Sequence, residues 1–386
     1  MGIYFDNAST TFPKPRAVAE AMAAYLLNEG CNIGRGCYAG AYRVEEQVYE
    51  TRQLLCKLFH GANARNVAFT KNVTEALNVL LKGFLHPGDH VLVSSMEHNA
   101  VMRPLTQLSA QGVSFSRIPC RADGTLILEA MEELVQENTR LVVMTHASNV
   151  CGTLLPLQRV GEFCRAHGLR FFVDAAQTAG VLPLDMQKLH IDALAFTGHK
   201  GLLGPQGIGG FILAPELVEQ LEPLLSGGTG SISHTEEVPP FMPDRFEAGT
   251  QNLPGILGLR ASLQWLQETG LNRIYAHEQE LTAQFLQGVH DIPGLQLFGL
   301  PDDEGRTGVV SLRLGTTDPA QLAYALDTTY GIMTRVGLHC APNAHRTLGS
   351  FPTGTVRFSF GWYNTHDEVA QAVQALRALR EDTAWS

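Results

Sequence analysis

The chain has 386 residues, 45% hydrophobic and 17% charged, with a formal charge of −10. That length suits a large domain with a smaller one beside it, and the acidic balance argues against a nucleic-acid partner, which would require a basic surface. No run of about 18 uncharged apolar residues occurs, so no membrane span is expected.

The opening MGIYFDNAST lacks the basic and apolar regions of a targeting signal, which makes the cytoplasm the expected compartment. Residues 3–12, IYFDNASTTF, read as a short strand entering a polar turn. Pro13 and Pro15 then open a helix with Val18, Met22, Tyr25 and Leu26 at helical spacing. Asn32-Ile33-Gly34-Arg35-Gly36 forms a glycine-punctuated loop before a long helix over about residues 41–59. A strand at 67–69 leads through Thr70-Lys71-Asn72-Val73-Thr74 into another helix. A hydroxyl there is first of all an N-cap, although a helix N-terminus also offers N–H groups to a phosphate. Strand 90–95 ends in Met96-Glu97-His98-Asn99, and strand 141–145 in His146-Ala147-Ser148-Asn149. A strand-end histidine is ordinarily a hydrogen-bonded surface group, and asparagine makes Asx turns with no further role.

The chemistry is expected between Arg170 and Gly210. Phe171-Phe172-Val173 has the composition of a buried parallel strand and ends on Asp174, where open α/β sheets collect ligands. A second apolar run, 191–196, ends in Thr197-Gly198-His199-Lys200. A lysine between apolar segments, with a carboxylate at the tip of a neighbouring strand, suits pyridoxal phosphate (PLP). That cofactor is held as a Schiff base on lysine, and its ring nitrogen is kept protonated by an acid. Thr197 and His199 flank the lysine and can donate to the phosphate. Gln177 can donate to the phenolate oxygen if the chain turns back across the ring. Gly204 to Gly210 is not G-x-G-x-x-G in register, so a dinucleotide site is excluded, and Walker A spacing is absent.

Residues 226–244 are rich in Gly, Ser and Pro and read as a loop. Beyond Pro254 a long helical section runs to about 290, followed by strands near 295–299 and 307–314, a helix at 318–329, strands near 332–335 and 355–360, and a last helix over about 367–379. The expected division is a large domain over 13–254 and a smaller α+β domain from 1–12 and 255–386. Seven cysteines with irregular spacing and no C-x-x-C suggest neither disulfides nor a metal site. Cys56 and Cys164 fall on apolar helical faces as small hydrophobes. Cys340, in Arg-Val-Gly-Leu-His-Cys-Ala-Pro, lies close in sequence to two cations that would favour its thiolate, Arg335 and His339. Arg357, on a strand, has the planar fork that binds a carboxylate in two-point fashion.

D-A-A-Q at 174–177, T-G-H-K at 197–200 and G-P-Q-G-I-G after them resemble the motifs of the class V aminotransferase group of fold-type-I PLP enzymes, and within it the cysteine desulfurases. R-x-G-x-H-C-A at 335–341 is similar to the SufS-like (group II) desulfurases and selenocysteine lyases. The resemblance implies a mostly parallel seven-stranded sheet and Lys200 as the cofactor lysine and general base. It puts the phosphate at Val73 and Thr74, His98 against the pyridine ring as a proton relay, and Asn149 on the cofactor's 3′-oxygen and the substrate carboxylate. It implies Arg357 as the carboxylate anchor and Cys340 as the nucleophile that takes sulfur from L-cysteine, or selenium from L-selenocysteine, releasing alanine. Thr250, in F-E-x-G-T, would reach the other subunit's phosphate, giving a homodimer with shared sites, and a sulfur-acceptor protein would be a further partner. Two positions depart from the pattern: Gly34 and Leu338 stand where many relatives carry histidine. An aminotransferase or epimerase would not need Cys340, and a PLP-binding sulfur carrier with little turnover is the remaining alternative.

Overall fold

The computed structural model describes residues 2–34 and 36–381, so Arg35 of the expected loop lies outside the described residues. In chain order the strands are β1 (Ile3–Tyr4), β2 (Val67–Thr70), β3 (His90–Ser94), β4 (Ser114–Ile118), β5 (Thr139–Thr145), β6 (Arg170–Asp174), β7 (Ala193–Thr197), β8 (Gly209–Leu213), β9 (Leu295–Phe298), β10 (Val309–Leu314), β11 (Ile332–Met333), β12 (Arg335–Gly337) and β13 (Thr355–Ser359). Among the described residues, β2 to β8 make one seven-stranded sheet in the order β2-β8-β7-β6-β5-β3-β4. It is parallel except at β8, which runs antiparallel to both β2 and β7.

The helices are α1 (Arg16–Ala24), α2 (Ala39–Leu58), α3 (Val73–Phe84), α4 (Asn99–Ser109), α5 (Ala130–Leu134), α6 (Leu157–His167), α7 (Leu253–Thr269), α8 (Leu271–Val289), α9 (Pro319–Tyr330), α10 (Pro342–Thr347) and α11 (His366–Glu381). Helices lie on both faces of the large sheet, which is why its inner strands are apolar throughout, while α8, α9 and α11 pack with the C-terminal strands. Strand pleating sends successive side chains into two separate cores: Phe171 and Val173 enter one, Phe172 the other. A third core joins Ile3 and Phe5 to Phe285, Leu312, Val356 and Phe358, so the first residues of the chain are built into its C-terminal part. There β12, β13, β10 and β9 form an antiparallel sheet, and β1 pairs in parallel with β11. The expected division at residue 254 meets the first turn of α7, which packs on α1 and α2.

Three local features differ from the sequence expectations. β4 (SFSRI) is an edge strand with little apolar content and half-exposed side chains. The glycine-rich run after Lys200 leads into β8 because Gly209 and Gly210 permit close approach: a Cβ on Gly210 would lie 2.3 Å from the Ala68 carbonyl oxygen. The N-cap of α3 is Asn72 and not a hydroxyl residue. Its side chain accepts from the Glu75 N–H at 2.9 Å, and the Glu75 carboxylate accepts from the Lys71 N–H at 2.6 Å.

Candidate active site

Strand order reverses at β3: β4 lies on one side of it and β5 on the other. Such a switch point opens a crevice at the carboxyl ends of the strands. β6 ends in Asp174, which is buried and accepts from the Ala176 N–H at 2.9 Å. Burial pushes its carboxyl pKa up, while that N–H and Lys200 pull it down. Lys200 follows the adjacent strand β7 and is partly exposed rather than fully buried. Burial of the amine lowers its pKa to about 8; Asp174 opposes this, Arg357 adds to it, and Asp6 and Cys340 oppose it. Lys200 thus responds to groups from four separate parts of the chain.

Thr197 Oγ1 and His199 Nδ1 are buried with no hydrogen-bond partner. His199 is neutral, its pKa lowered to about 4 by burial and by Lys200 and Lys14. Thr197 pairs with Gly209, whose Cβ would lie 2.8 Å from the Asn72 Cα. The amino end of α3, with buried Val73 and exposed Thr74, is therefore carried beside Thr197. Gln177 Nε2 donates to the Ala8 carbonyl at 3.2 Å.

After β3, His98 caps α4: its Nδ1 accepts from the Ala100 N–H at 3.0 Å. Burial, then Lys200, Arg357 and Arg103, lower its pKa to about 4. The ring is therefore neutral near pH 7 with its proton on Nε2, below the ordinary value of about 6.5. Glu97 beside it is buried and pushed up to about 8 by burial, against hydrogen bonds from Ser94 and Thr145. Sequence reasoning missed Glu97, whose carboxyl accepts from Ser94 Oγ and the Thr145 N–H and so ties the β3 turn to β5.

Asn149 gives one side-chain N–H to the His339 carbonyl at 2.7 Å, so it braces the cysteine loop and keeps a second N–H. The Asn99 N–H donates to the Cys340 carbonyl at 2.8 Å and docks the same loop on the start of α4, next to His98. His339 and Cys340 both hold left-handed backbone, φ 47° and 56°, a conformation that costs roughly 1–3 kcal/mol per residue and needs such anchors. Cys340 itself is exposed. The two cations expected beside it are engaged elsewhere. His339 is neutral, its pKa lowered to about 2 mainly by burial, with Nε2 3.0 Å from Thr355 Oγ1. Arg335 lies 3.7 Å from Asp6.

Arg357 on β13 is buried and donates to the Asn149 carbonyl, to Ser9 and to Asp6. Asp6 escaped sequence reasoning, although the polar DNASTT run after a strand was its one signal. Residues 6–14 form a strap: Thr11 donates to the Lys200 carbonyl at 3.0 Å through Oγ1 and to the His199 carbonyl at 3.0 Å through its N–H. Asn364 accepts from Asn7 Nδ2 at 3.0 Å and donates to the Tyr4 carbonyl, which holds this strap; Thr365 and Glu368 cap α11.

Thr250 is not brought to this cluster within one chain. It is exposed and lines a cavity of about 650 Å³ with Gly34, Tyr49 and Arg52. Its loop is fixed by Glu247, which takes two bonds of 2.7 Å from buried Arg52. Cys164 is buried on α6, and the Cys56 thiol donates to the Gly61 carbonyl. Among the described residues, no group of three His, Cys, Asp or Glu side chains could hold a metal ion, and no helix is long and apolar enough to cross a membrane.

A lysine and an acid on adjacent parallel strand tips, below a helix N-terminus, define an α/β enzyme of the fold-type-I class. The chain belongs to the aminotransferase class-V family, whose model matches residues 3–372. It is 36% identical to a probable cysteine desulfurase of Methanothermobacter thermautotrophicus, over 98% of this chain and 94% of the relative. It is 34% identical to a cysteine desulfurase of Escherichia coli O127:H6, over 97% and 93%. Among solved structures, the apo cysteine desulfurase of Thermococcus onnurineus NA1 superposes with a TM-score of 0.91 at 32% identity, covering 98% of this chain and 95% of that one.

Proposed function

We propose that this protein is a PLP-dependent cysteine desulfurase, taking sulfur from L-cysteine onto Cys340 and releasing L-alanine. The observation that carries the reading is an exposed thiol on a loop pinned by Asn149 and by Asn99, the residue after His98. The family membership and the names of the relatives point the same way.

The residues present fit the cofactor. Thr197 Oγ1 and His199 Nδ1 are buried polar atoms without partners, beside a helix N-terminus suited to a phosphate. Asp174, buried at the tip of β6, would supply the counter-ion that a ring nitrogen needs. Val73 and Thr74 would meet the phosphate, Gln177 the phenolate oxygen, and His98 the ring face. When bound, PLP supplies an electron sink for the substrate's Cα and Cβ bonds. Lys200, with its pKa lowered to about 8, would take the α-proton as general base. Arg357 and Asn149 orient the substrate carboxylate. The Cys340 thiolate attacks the substrate sulfur: an S–S bond forms, the Cβ–S bond breaks, and its electron pair stays with the carbon fragment. Protonation of that fragment gives alanine, and His98, neutral with its Nδ1 taken by the Ala100 N–H, would be the proton relay through Nε2.

Cys340 must return to the thiol after each cycle, so a reducing compartment such as the cytoplasm and a sulfur acceptor belong to this reading. Exposed Leu26, Leu27, Tyr38 and Tyr42 support a homodimer in which Thr250 of one protomer completes the phosphate site of the other. Alanine release from L-cysteine and from L-selenocysteine tests the proposal. Release from cysteine supports it, release from selenocysteine alone makes the protein a selenocysteine lyase, and release from neither by PLP-loaded protein ends the enzyme reading.

A further inference from the structure

Arg335 and Arg357 lie directly opposite each other on antiparallel strands β12 and β13, a placement in which like charges repel. Asp6 stands between them. Its Oδ1 accepts from Arg357 Nη2 at 3.0 Å and its Oδ2 lies 3.7 Å from Arg335 Nη1. Ser9 Oγ donates to Asp6 Oδ1 at 2.6 Å and accepts from Arg357 Nη2 at 2.8 Å. Arg357 Nη1 donates to the Asn149 carbonyl, and its Nε is buried with no partner.

A guanidinium grips a carboxylate with two parallel bonds, from both Nη atoms or from Nε and Nη2. Both modes need Nη2, whose two hydrogens already go to Asp6 and Ser9. An entering carboxylate therefore gains two-point contact only when Asp6 releases Nη2. Arg335, 56% exposed and already beside Oδ2, is the group that can receive it.

We propose that Asp6 is a built-in carboxylate that holds the Arg357 clamp in the resting protein and is displaced onto Arg335 by the substrate's carboxylate. It sets the affinity of the site for substrate and acts as a positioning residue through the two arginines. The proposal rests on the reading of Arg357 as the carboxylate anchor.

The test uses propionate, a monocarboxylate without an amine, titrated calorimetrically into PLP-loaded protein. Asp6→Asn removes the competing charge at constant size and is expected to tighten propionate about tenfold and to lower the KM for L-cysteine. Binding of propylamine, which lacks a carboxylate, is expected to stay the same. Arg335→Gln is expected to weaken propionate about tenfold in the native background and to have little effect in the Asp6→Asn background, as for residues acting as a unit. A purely structural counter-ion gives the opposite result, because without it the arginines splay and propionate weakens; that outcome, or an unchanged constant, overturns the proposal. An Arg335→Gln effect that persists in Asp6→Asn also overturns it, since Arg335 would then hold the carboxylate directly. If Asp6→Asn does not fold, Ser9→Ala frees one Nη2 hydrogen; tighter propionate supports the proposal, and unchanged or weaker propionate defeats it. The propionate constant requires no turnover, so a failed activity assay and a failed displacement are separate results.

Discussion

Replacing Asp174 with asparagine is expected to speed the capture of PLP by Lys200 while slowing the loaded protein. The Lys200 amine is lowered from 10.5 to about 8, with burial the largest cause. At pH 7 about one Lys200 in ten is then neutral, against about one in three thousand for an ordinary lysine, a gain of about 300-fold in the nucleophilic form. Asp174 is the largest influence keeping the proton on. Its loss moves the midpoint down, and a shift of the size one adjacent carboxylate produces raises the neutral fraction at pH 7 about fivefold. Turnover moves the other way, because the ring nitrogen loses a charge-assisted bond worth about 1.5–3 kcal/mol, or about 10- to 150-fold. Stopped-flow absorbance of apo-protein mixed with PLP, across about pH 6–10, measures capture. The native rate should rise with pH through a midpoint near 8, and the Asp174→Asn rate through a lower one. A midpoint that stays in place or moves up would refute the electrostatic coupling.

Cys340→Ala should keep the PLP absorbance and lose persulfide labelling after L-cysteine; surviving label would move the nucleophile to another cysteine. Glu247→Gln leaves Arg52 buried without its charge partner, both side chains being about 5% exposed. It should cost about 3–5 kcal/mol, read as a lower urea midpoint, and an unchanged midpoint would contradict the pairing. Thr250→Ala and Lys200→Ala proteins, each inactive, should regain part of the activity when mixed, and strictly monomeric scattering would rule this out.

Much of the site was legible because its residues terminate buried strands. Phe171 to Asp174 and the run into Lys200 announce themselves by unbroken apolar stretches, and β6 and β7 do lie side by side. Asp6 was not legible in the same way. Its partner Arg357 is 351 residues away, and no local pattern encodes that pairing. β4 carries little apolar signal because an edge strand buries little, and β8 opens on two glycines that serve close backbone approach. The engagement of His339 by Thr355 shows the limit of adjacency: a histidine next to Cys340 in sequence is neutral and bonded to another strand.

The central claim is that Lys200 carries the cofactor. Lys14 is its sharpest competitor, since burial also lowers that amine to about 8 and its Nζ donates to the His199 carbonyl. Borohydride reduction of the PLP-loaded protein, followed by peptide mapping, separates the two. A pyridoxyl adduct is expected on the peptide containing Lys200; an adduct on Lys14, or none on either, would overturn that assignment.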